Sequence, residues 1–318
     1  MNRRVDVCNG DADGLCAAVQ WHWHDPGPAA LLTGLKREID LLRQVDAQAG
    51  DEVNVFDLSM ERNLADLRRL LEAGVRVRYF DHHAVRQVPS HPLLESHIDG
   101  ASEVCTSLLV DRHLGGAFHA WALVGAYGDN LATVADRLCR EAGVDSGDSA
   151  ALRRIGEAIN YNAYGDDERD VHIAPRRLYE TMARYAHPLD MLAHEAVIDE
   201  IDTLRRKDLR RAFIVAPLWE DTRGSVRVLP DAPWSRRVLG CVANELANAE
   251  PRSAHAVLKQ VGDGYAVSVR APLEAPLGAH ELCSEFGGGG RARAAGIDGL
   301  PPDELPRFVK AFANKCWG

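Results

Sequence analysis

The chain of 318 residues predicts an α/β fold: a parallel sheet in the N-terminal part, then a smaller mixed α/β domain. Three observations carry this expectation. Short apolar strands alternate with helical segments from Val5 to Asp81, at the spacing of a parallel sheet. Aspartates fall at or just past the ends of those strands. A charged helical stretch, HEAVIDEIDTLRRKDLRRAF, separates this part from a remainder of different charge balance.

The elements follow in order. Val5 and Val7 alternate in a first strand that runs into the turn NGDADG, and LCAAVQWHW begins a helix. ALLTG is a second strand, followed by a helical segment near Ile39 to Val45, and VNVFD brings a third strand to Asp57. Met60 to Glu72 is a helix with Leu64, Leu67, Leu70 and Leu71 on one side, and VRVRYF leads a fourth strand to Asp81. ASEVCTSLLVDRHL reads as a helix start with Ser102 as its N-cap and Glu103 in the first turn. A helix beginning near Ala117 ends in the turn Gly128-Asp129-Asn130, from which Asp129 can reach back over the sheet edge. INYNAYGDDERDVHIAP, with Tyr161 and Tyr164 among Asn160 and Asn162, reads equally as a cleft-edge element or as structure. YAVSVRAP alternates as a half-buried strand with Arg270 on its polar phase.

Composition bounds the function. A hydrophobic content of 46% supports sizeable cores, and no apolar run approaches the roughly 18 residues of a spanning helix. The start, MNRRVDVCNGDADG, lacks the apolar stretch of a signal peptide, so a cytoplasmic protein without membrane partners is expected. Seven cysteines without a CxxC pair suggest neither a disulfide framework nor a zinc knot; Cys105, Cys139 and Cys241 read as core fillers. The net charge of -10 argues against duplex DNA as a partner. From Phe213 onward 12 basic residues balance 12 acidic ones, so the whole excess belongs to the first 212 residues. Divalent metals tying up carboxylates would still let such a domain handle a polyanion.

Asp11, Asp57 and Asp81 share the strand-end edge where open α/β sheets bind ligands. Asp11 and Asp13 present two carboxylates from one glycine-flanked turn, and the run Asp81-His82-His83 adds a carboxylate and two imidazoles. Like charges this close disfavour joint ionisation unless a cation stands among them, and two divalent ions are the simplest answer. Oxygen ligands mixed with imidazole suit Mn²⁺, Mg²⁺, Co²⁺ or Zn²⁺. Later in the chain, Gly287 to Gly290 lets the backbone approach an anion closely, with Gly288, Gly289 and Gly290 as candidate phosphate contacts and Arg270 as another. The linker arginines 205, 206, 210 and 211, with Lys207, are explained by a solvated helix, and Trp219 and Trp234 serve equally as base-stacking or core residues.

The motifs NGDADG, VFDLS, FDHHA and GAYGDN, in that order and followed by FGGGGRARAAG, resemble the DHH phosphoesterase superfamily of the type carrying a C-terminal DHHA1 domain. The resemblance covers essentially the whole chain. It implies a DHH metal-binding catalytic domain over 1–195, a helical linker over 196–212 and a DHHA1-like substrate domain over 213–318, with the active site in the cleft. It implies two divalent cations, Mn²⁺ first, with Mg²⁺ or Co²⁺ as alternatives. Asn9 and Asp11 correspond to the first metal, Asp13 to the second, Asp57 to the carboxylate bridging both, and His82 and Asp129 to the rest of the second. His83 would serve the phosphoryl group or leaving oxygen, with Asp81 orienting the histidines. Two residues depart from the family pattern: Asn9 replaces a metal-binding histidine, and Arg291 replaces a histidine after the glycines. Arginine keeps a phosphate-binding fork but gives up proton exchange. The expected function is metal-dependent hydrolysis of a phosphodiester or terminal phosphate in a short nucleotide or oligonucleotide. Exopolyphosphatase or other phosphoanhydride cleavage is the runner-up, and a non-catalytic nucleotide-binding regulator with a degenerate first metal site is the third reading. Dimerisation stays open.

Overall fold

The structure, a computed structural model, describes residues 3–318 and divides into two compact units, Met1–Asp202 and Thr203–Gly318. In the first, β1 (Arg4–Asn9), α1 (Ala12–His24), β2 (Ala30–Gly34), β3 (Glu52–Phe56), α2 (Met60–Glu72) and β4 (Arg76–Asp81) follow in the order expected from the sequence, and a further strand, β5 (Leu94–Ile98), is added to them. The five strands form one parallel sheet in the order β2-β1-β3-β4-β5. Alternation sorts the side chains between its faces. Val7, Val53, Val55, Val77 and Tyr79 pack with Leu67, Leu70 and Leu71 of α2 in one core. Phe56 and Phe80 point the other way and meet Trp21 of α1, with ring centroids 6.1 and 5.7 Å from it.

Helices α3 (Thr106–His113), α4 (His119–Gly128), α5 (Ala132–Glu141), α6 (Ser146–Asn162), α7 (Pro175–Met182) and α8 (Pro188–His194) complete this unit. Glycines let α4 come close to its neighbours. A Cβ on Gly125 would stand 2.7 Å from Ser107 Cβ of α3, and one on Gly128 would run into Ala12 Cβ of α1. The charged stretch is one helix, α9 (Val197–Ile214), within which the division between the units falls.

Two local expectations change. The helical segment near Ile39 to Val45 is a single 3₁₀ turn, Leu41–Gln44, because Asn63 of α2 takes over its backbone groups, accepting from Leu42 N and donating to Ile39 O. The helix expected to begin at Ser102 begins instead at Thr106. Its cap is Asp13, 93 residues away in sequence, so neither Ser102 nor Glu103 has the role assigned to it.

The second unit holds β6 (Trp219–Asp221), β7 (Gly224–Leu229), α10 (Pro233–Ala249), β8 (Ala254–Val261), β9 (Gly264–Arg270), α11 (Ala279–Ser284), β10 (Gly289–Gly290), β11 (Ala294–Leu300) and α12 (Leu305–Asn314). Its mixed sheet runs β10-β11-β9-β8-β7-β6. Only β7 and β8 pair in parallel, and α10 is the crossover that such a pair requires. Val226, Leu258, Val267, Ile297, Phe308 and Phe312 belong to its core, and Trp219 packs on Phe312, which gives that tryptophan a structural place.

Candidate metal centre

Parallel register delivers the acidic residues to one edge. Cys8 is level with Phe56 and Phe56 with Phe80, so the residues that follow, Asn9, Asp57 and Asp81, stand in a row across β1, β3 and β4. Asp57 leaves β3 with φ at +59°, the left-handed region that aspartate tolerates better than most non-glycine residues. Asn9, Asp11, Asp13, Asp57, Asp81 and His82 are all buried.

His82 is fixed at one nitrogen and presented at the other. Its Nδ1 lies 2.9 Å from Val104 O, a carbonyl that can only accept, so Nδ1 carries the hydrogen. Nε2 then faces carboxylates, 3.3 Å from Asp57 Oδ1 and 3.9 Å from Asp13 Oδ2. Asp129 Oδ2 lies 3.8 Å from the ring on its Nδ1 side. An imidazole lone pair aimed at carboxylates is repulsive unless a cation intervenes. Without metal, a proton takes that role. Burial alone lowers the His82 pKa, but the Asp57 hydrogen bond and the charges of Asp129, Asp57 and Asp13 outweigh it and push it up to about 10. Burial and the charges of Asp11 and Asp13 raise Asp57 well above the carboxylate range, and burial raises Asp129 as well. The donor set therefore fits a divalent cation between Asp57 and His82 Nε2. Ligand atoms of Asp57, His82 and His83 lie within 4.8 Å of one another.

Asp13 is placed by another demand too. Its two oxygens each accept a backbone N–H at 2.7 Å, from Thr106 and Ser107, the first two residues of α3. Thr106 in turn donates its hydroxyl to Asp57 Oδ1 at 3.1 Å.

Asp11 has a different partner. One oxygen caps α1 by accepting from Gly14 N, and the other meets Lys36 Nζ at 2.5 Å. Lys36 Nζ also donates to Asn160 Oδ1 at 3.1 Å and lies 5.4 Å from the Tyr164 ring centroid. Burial raises the Asp11 pKa, yet Lys36 reverses this and holds it below its ordinary value. The Asn9 amide oxygen accepts from Asp11 N, closing a local turn. Gly14 is required here, since a Cβ would stand 2.9 Å from Asn9 N.

Asp81 is engaged by backbone and by the His83 ring. It accepts from Met60 N and His83 N, each at 3.1 Å, and lies 2.6 Å from His83 Nδ1. A second group with metal-binding atoms within 4.8 Å, Glu95, His97 and His113, involves the edge strand β5 and lies outside the residues singled out from sequence; Glu95 there is bonded to Arg78 at 2.9 Å.

In the second unit the glycine run forms a hairpin. Gly289 and Gly290 pair with Gly296 and Ala295, and Arg291 and Ala294 close the turn through mutual backbone bonds. Gly288 donates its N–H to Cys283 O, so the expected cradle of consecutive N–H groups does not extend to that residue. Gly288 and Gly290 are instead required by packing: their Cβ atoms would stand 2.8 Å from Ile297 Cγ1 and 2.5 Å from Ala295 Cα. Arg270 is engaged by Asn244 Oδ1 at 2.7 Å and Ser268 Oγ at 2.9 Å.

Residues 221–318 match the DHHA1 domain family. The whole chain is similar in fold to a DHH-domain protein described as a member of a family of ribosomal proteins (TM-score 0.69, 15% identity, covering 98% of this chain and 86% of that one). The chain has the DHH/DHHA1 fold. It is likewise similar to exonuclease RecJ bound to manganese (TM-score 0.57, 22% identity, 98% of this chain and 90% of that one). A third likeness is to the pGpG-specific phosphodiesterase PggH from Vibrio cholerae (TM-score 0.53, 15% identity, 98% and 97%). No curated protein matches the chain by sequence. Within the DHH unit, sequence reasoning passed over Lys36 and Thr106. Lys36 had one legible signal: it follows ALLTG by the same two residues by which Asp11 follows its strand. Thr106 had none, because a capping carboxylate 93 residues distant leaves no local pattern.

Proposed function

We propose that the chain is a metal-dependent phosphoesterase acting on a phosphodiester or terminal phosphate of a short nucleotide. The observation that carries this reading is His82, tied through Nδ1 to a backbone carbonyl so that Nε2 faces the carboxylates of Asp57 and Asp13. Asp13, Asp57, His82 and Asp129 would hold one cation, and Asp11 with Asp57 another, Asn9 supplying an amide oxygen in place of imidazole. Divalent cations held there would acidify a water for attack on phosphorus and offset charge developing on the phosphoryl oxygens. Asp81 keeps His83 in one orientation, and the half-exposed ring then offers Nε2 as hydrogen-bond donor or acid to the departing oxygen. Arg291 supplies a permanent charge for substrate phosphate.

The names of two similar folds, an exonuclease and a pGpG-specific phosphodiesterase, belong to this chemistry. The excess acid in the first 212 residues favours short substrates over duplexes. Seven free cysteines, five of them buried, suit a reducing, cytoplasmic setting, and no helix among the described residues is long and apolar enough to cross a membrane. The test is release of phosphate or mononucleotide from pApA, pGpG, 3′-phosphoadenosine 5′-phosphate, cyclic di-AMP and polyphosphate, with Mn²⁺ titrated against EDTA. Turnover of a nucleotide that requires metal and is lost in Asp57→Asn is the expected result. Cleavage of polyphosphate alone would move the reading to phosphoanhydrides, and no turnover with metal bound would favour a regulator.

A further inference from the structure

The departure at Asn9 and the contact at Asp11 have a common explanation. β1 and β2 pair with Asn9 level with Gly34, so Asp11 and Lys36 each lie two residues beyond that pair, at the same edge. The Lys36 ammonium meets Asp11 Oδ2 at 2.5 Å and Asn160 Oδ1 at 3.1 Å, with the Tyr164 ring 5.4 Å away. A carboxylate, an amide oxygen and an aromatic face make a cation site, and the chain fills it with its own cation. At Asp57 it is the His82 ring that stands by the carboxylate, with Nε2 3.3 Å from Asp57 Oδ1, and an imidazole is itself a metal ligand whereas an ammonium is not.

We propose that Lys36 is a tethered competitor for the first metal position: it neutralises Asp11 until a divalent ion displaces it, so that the two positions load in sequence. The position of Asp57, His82 and Asp129 fills first and tightly. The position of Asp11 fills second and weakly, because the incoming ion must replace an ammonium that is covalently attached and therefore present at high local concentration. Asn9 belongs to the same device: its amide oxygen already accepts from Asp11 N and is a weaker metal ligand than an imidazole, so it gives the ion little help against Lys36. The identity of residue 9 then matters little while Lys36 is in place.

This inference rests on the metal-dependent reading, and Mn²⁺ binding can be measured apart from turnover. The full-length chain, stripped with EDTA, is titrated with Mn²⁺ while free ion is followed by electron paramagnetic resonance. The wild type is expected to bind one ion at least tenfold more tightly than a second. Lys36→Met is expected to tighten the second ion tenfold or more, Asn9→His alone to change it less than threefold, and Asn9→His with Lys36→Met to tighten it most. An unchanged second affinity in Lys36→Met, or full tightening by Asn9→His alone, overturns the proposal. A wild type that binds no ion tightly sinks the metal-dependent reading itself, which separates the two failures. Should Lys36→Met fold poorly, the wild type provides its own test. Acetylation of Lys36 by acetic anhydride, read by mass spectrometry, should rise several-fold once both positions are saturated; no rise beyond that seen with the first ion overturns displacement.

Discussion

Asp13 is expected to matter to the fold as well as to metal. Replacing it with alanine removes two charge-assisted hydrogen bonds at 2.7 Å and leaves Thr106 N and Ser107 N as unpaired donors in a buried setting. A lost N-cap is worth about 1 kcal/mol, and bonds to a charged acceptor about 1.5–3 kcal/mol each, partly overlapping contributions. Removing one of several neighbouring carboxylates returns some stability by relieving repulsion. The balance is a loss of about 2–4 kcal/mol in EDTA, where no metal is at stake. Urea unfolding of the N-terminal unit, together with hydrogen exchange at the Thr106 and Ser107 amides, measures it. Asp13→Asn keeps one acceptor and should lose roughly half as much. A residue whose sole role was to hold metal would cost nothing in EDTA. A loss below about 0.5 kcal/mol, or unchanged exchange at the two amides, would therefore refute the capping argument.

Three further outcomes are expected. Asp57→Asn, which suits the left-handed backbone at φ +59°, should abolish tight Mn²⁺ binding while leaving the metal-free protein at least as stable, since burial and the charges of Asp11 and Asp13 oppose ionisation of Asp57; an EDTA thermal melt lowered by more than a few degrees would contradict this. His82, raised from 6.5 to about 10, contributes stability that is complete below pH 6.5 and is lost as pH rises toward 10, so metal-free melts should fall from pH 6.5 to 9. Saturating Mn²⁺ should flatten that slope. In the second unit, burial and then the Arg227 charge lower His255 to about 4; its contribution is present above pH 6.5 and lost as pH falls toward 4, and His255→Gln should reduce that acid sensitivity, read by urea unfolding at pH 4.5 and 7.

The strands were legible where apolar residues alternate and an aspartate marks the exit, as at VNVFD and VRVRYF, and Met60–Glu72 was legible through its leucines. β5 was not: LESHI is an edge strand with two of its five residues exposed, so burial imposes little pattern on it. The acidic cluster could be read because each member lies at a strand end or in a glycine-flanked turn. What could not be read were partners fixed by tertiary approach. Lys36 and Asn160 are 124 residues apart, and Asp13 and Thr106 are 93 apart. The glycine run illustrates a different limit. Close backbone approach was anticipated, but at Gly288 and Gly290 the approaching group is β11.

The chain's own positive groups are expected to let the unit fold before metal arrives. Four carboxylates, of Asp11, Asp13, Asp57 and Asp129, are gathered at one edge, an arrangement that burial and mutual repulsion disfavour. Each has a positive partner from the chain. Asp11 has the Lys36 ammonium, and Asp13 has two N–H groups at the start of α3, where the helix dipole is positive. Asp57 has the protonated His82 ring and the Thr106 hydroxyl, and Asp129 has the other side of that ring. The elements that supply these partners are also coupled. Val104, whose carbonyl fixes His82, and Thr106, which bonds Asp57, flank the α3 terminus that Asp13 caps. A change at Asp13 thus reaches His82 and Asp57 through the backbone between them. The unit is accordingly expected to stay folded in EDTA, read by circular dichroism, with its positive charges in provisional positions, unlike a small domain whose folding free energy comes from the ion itself.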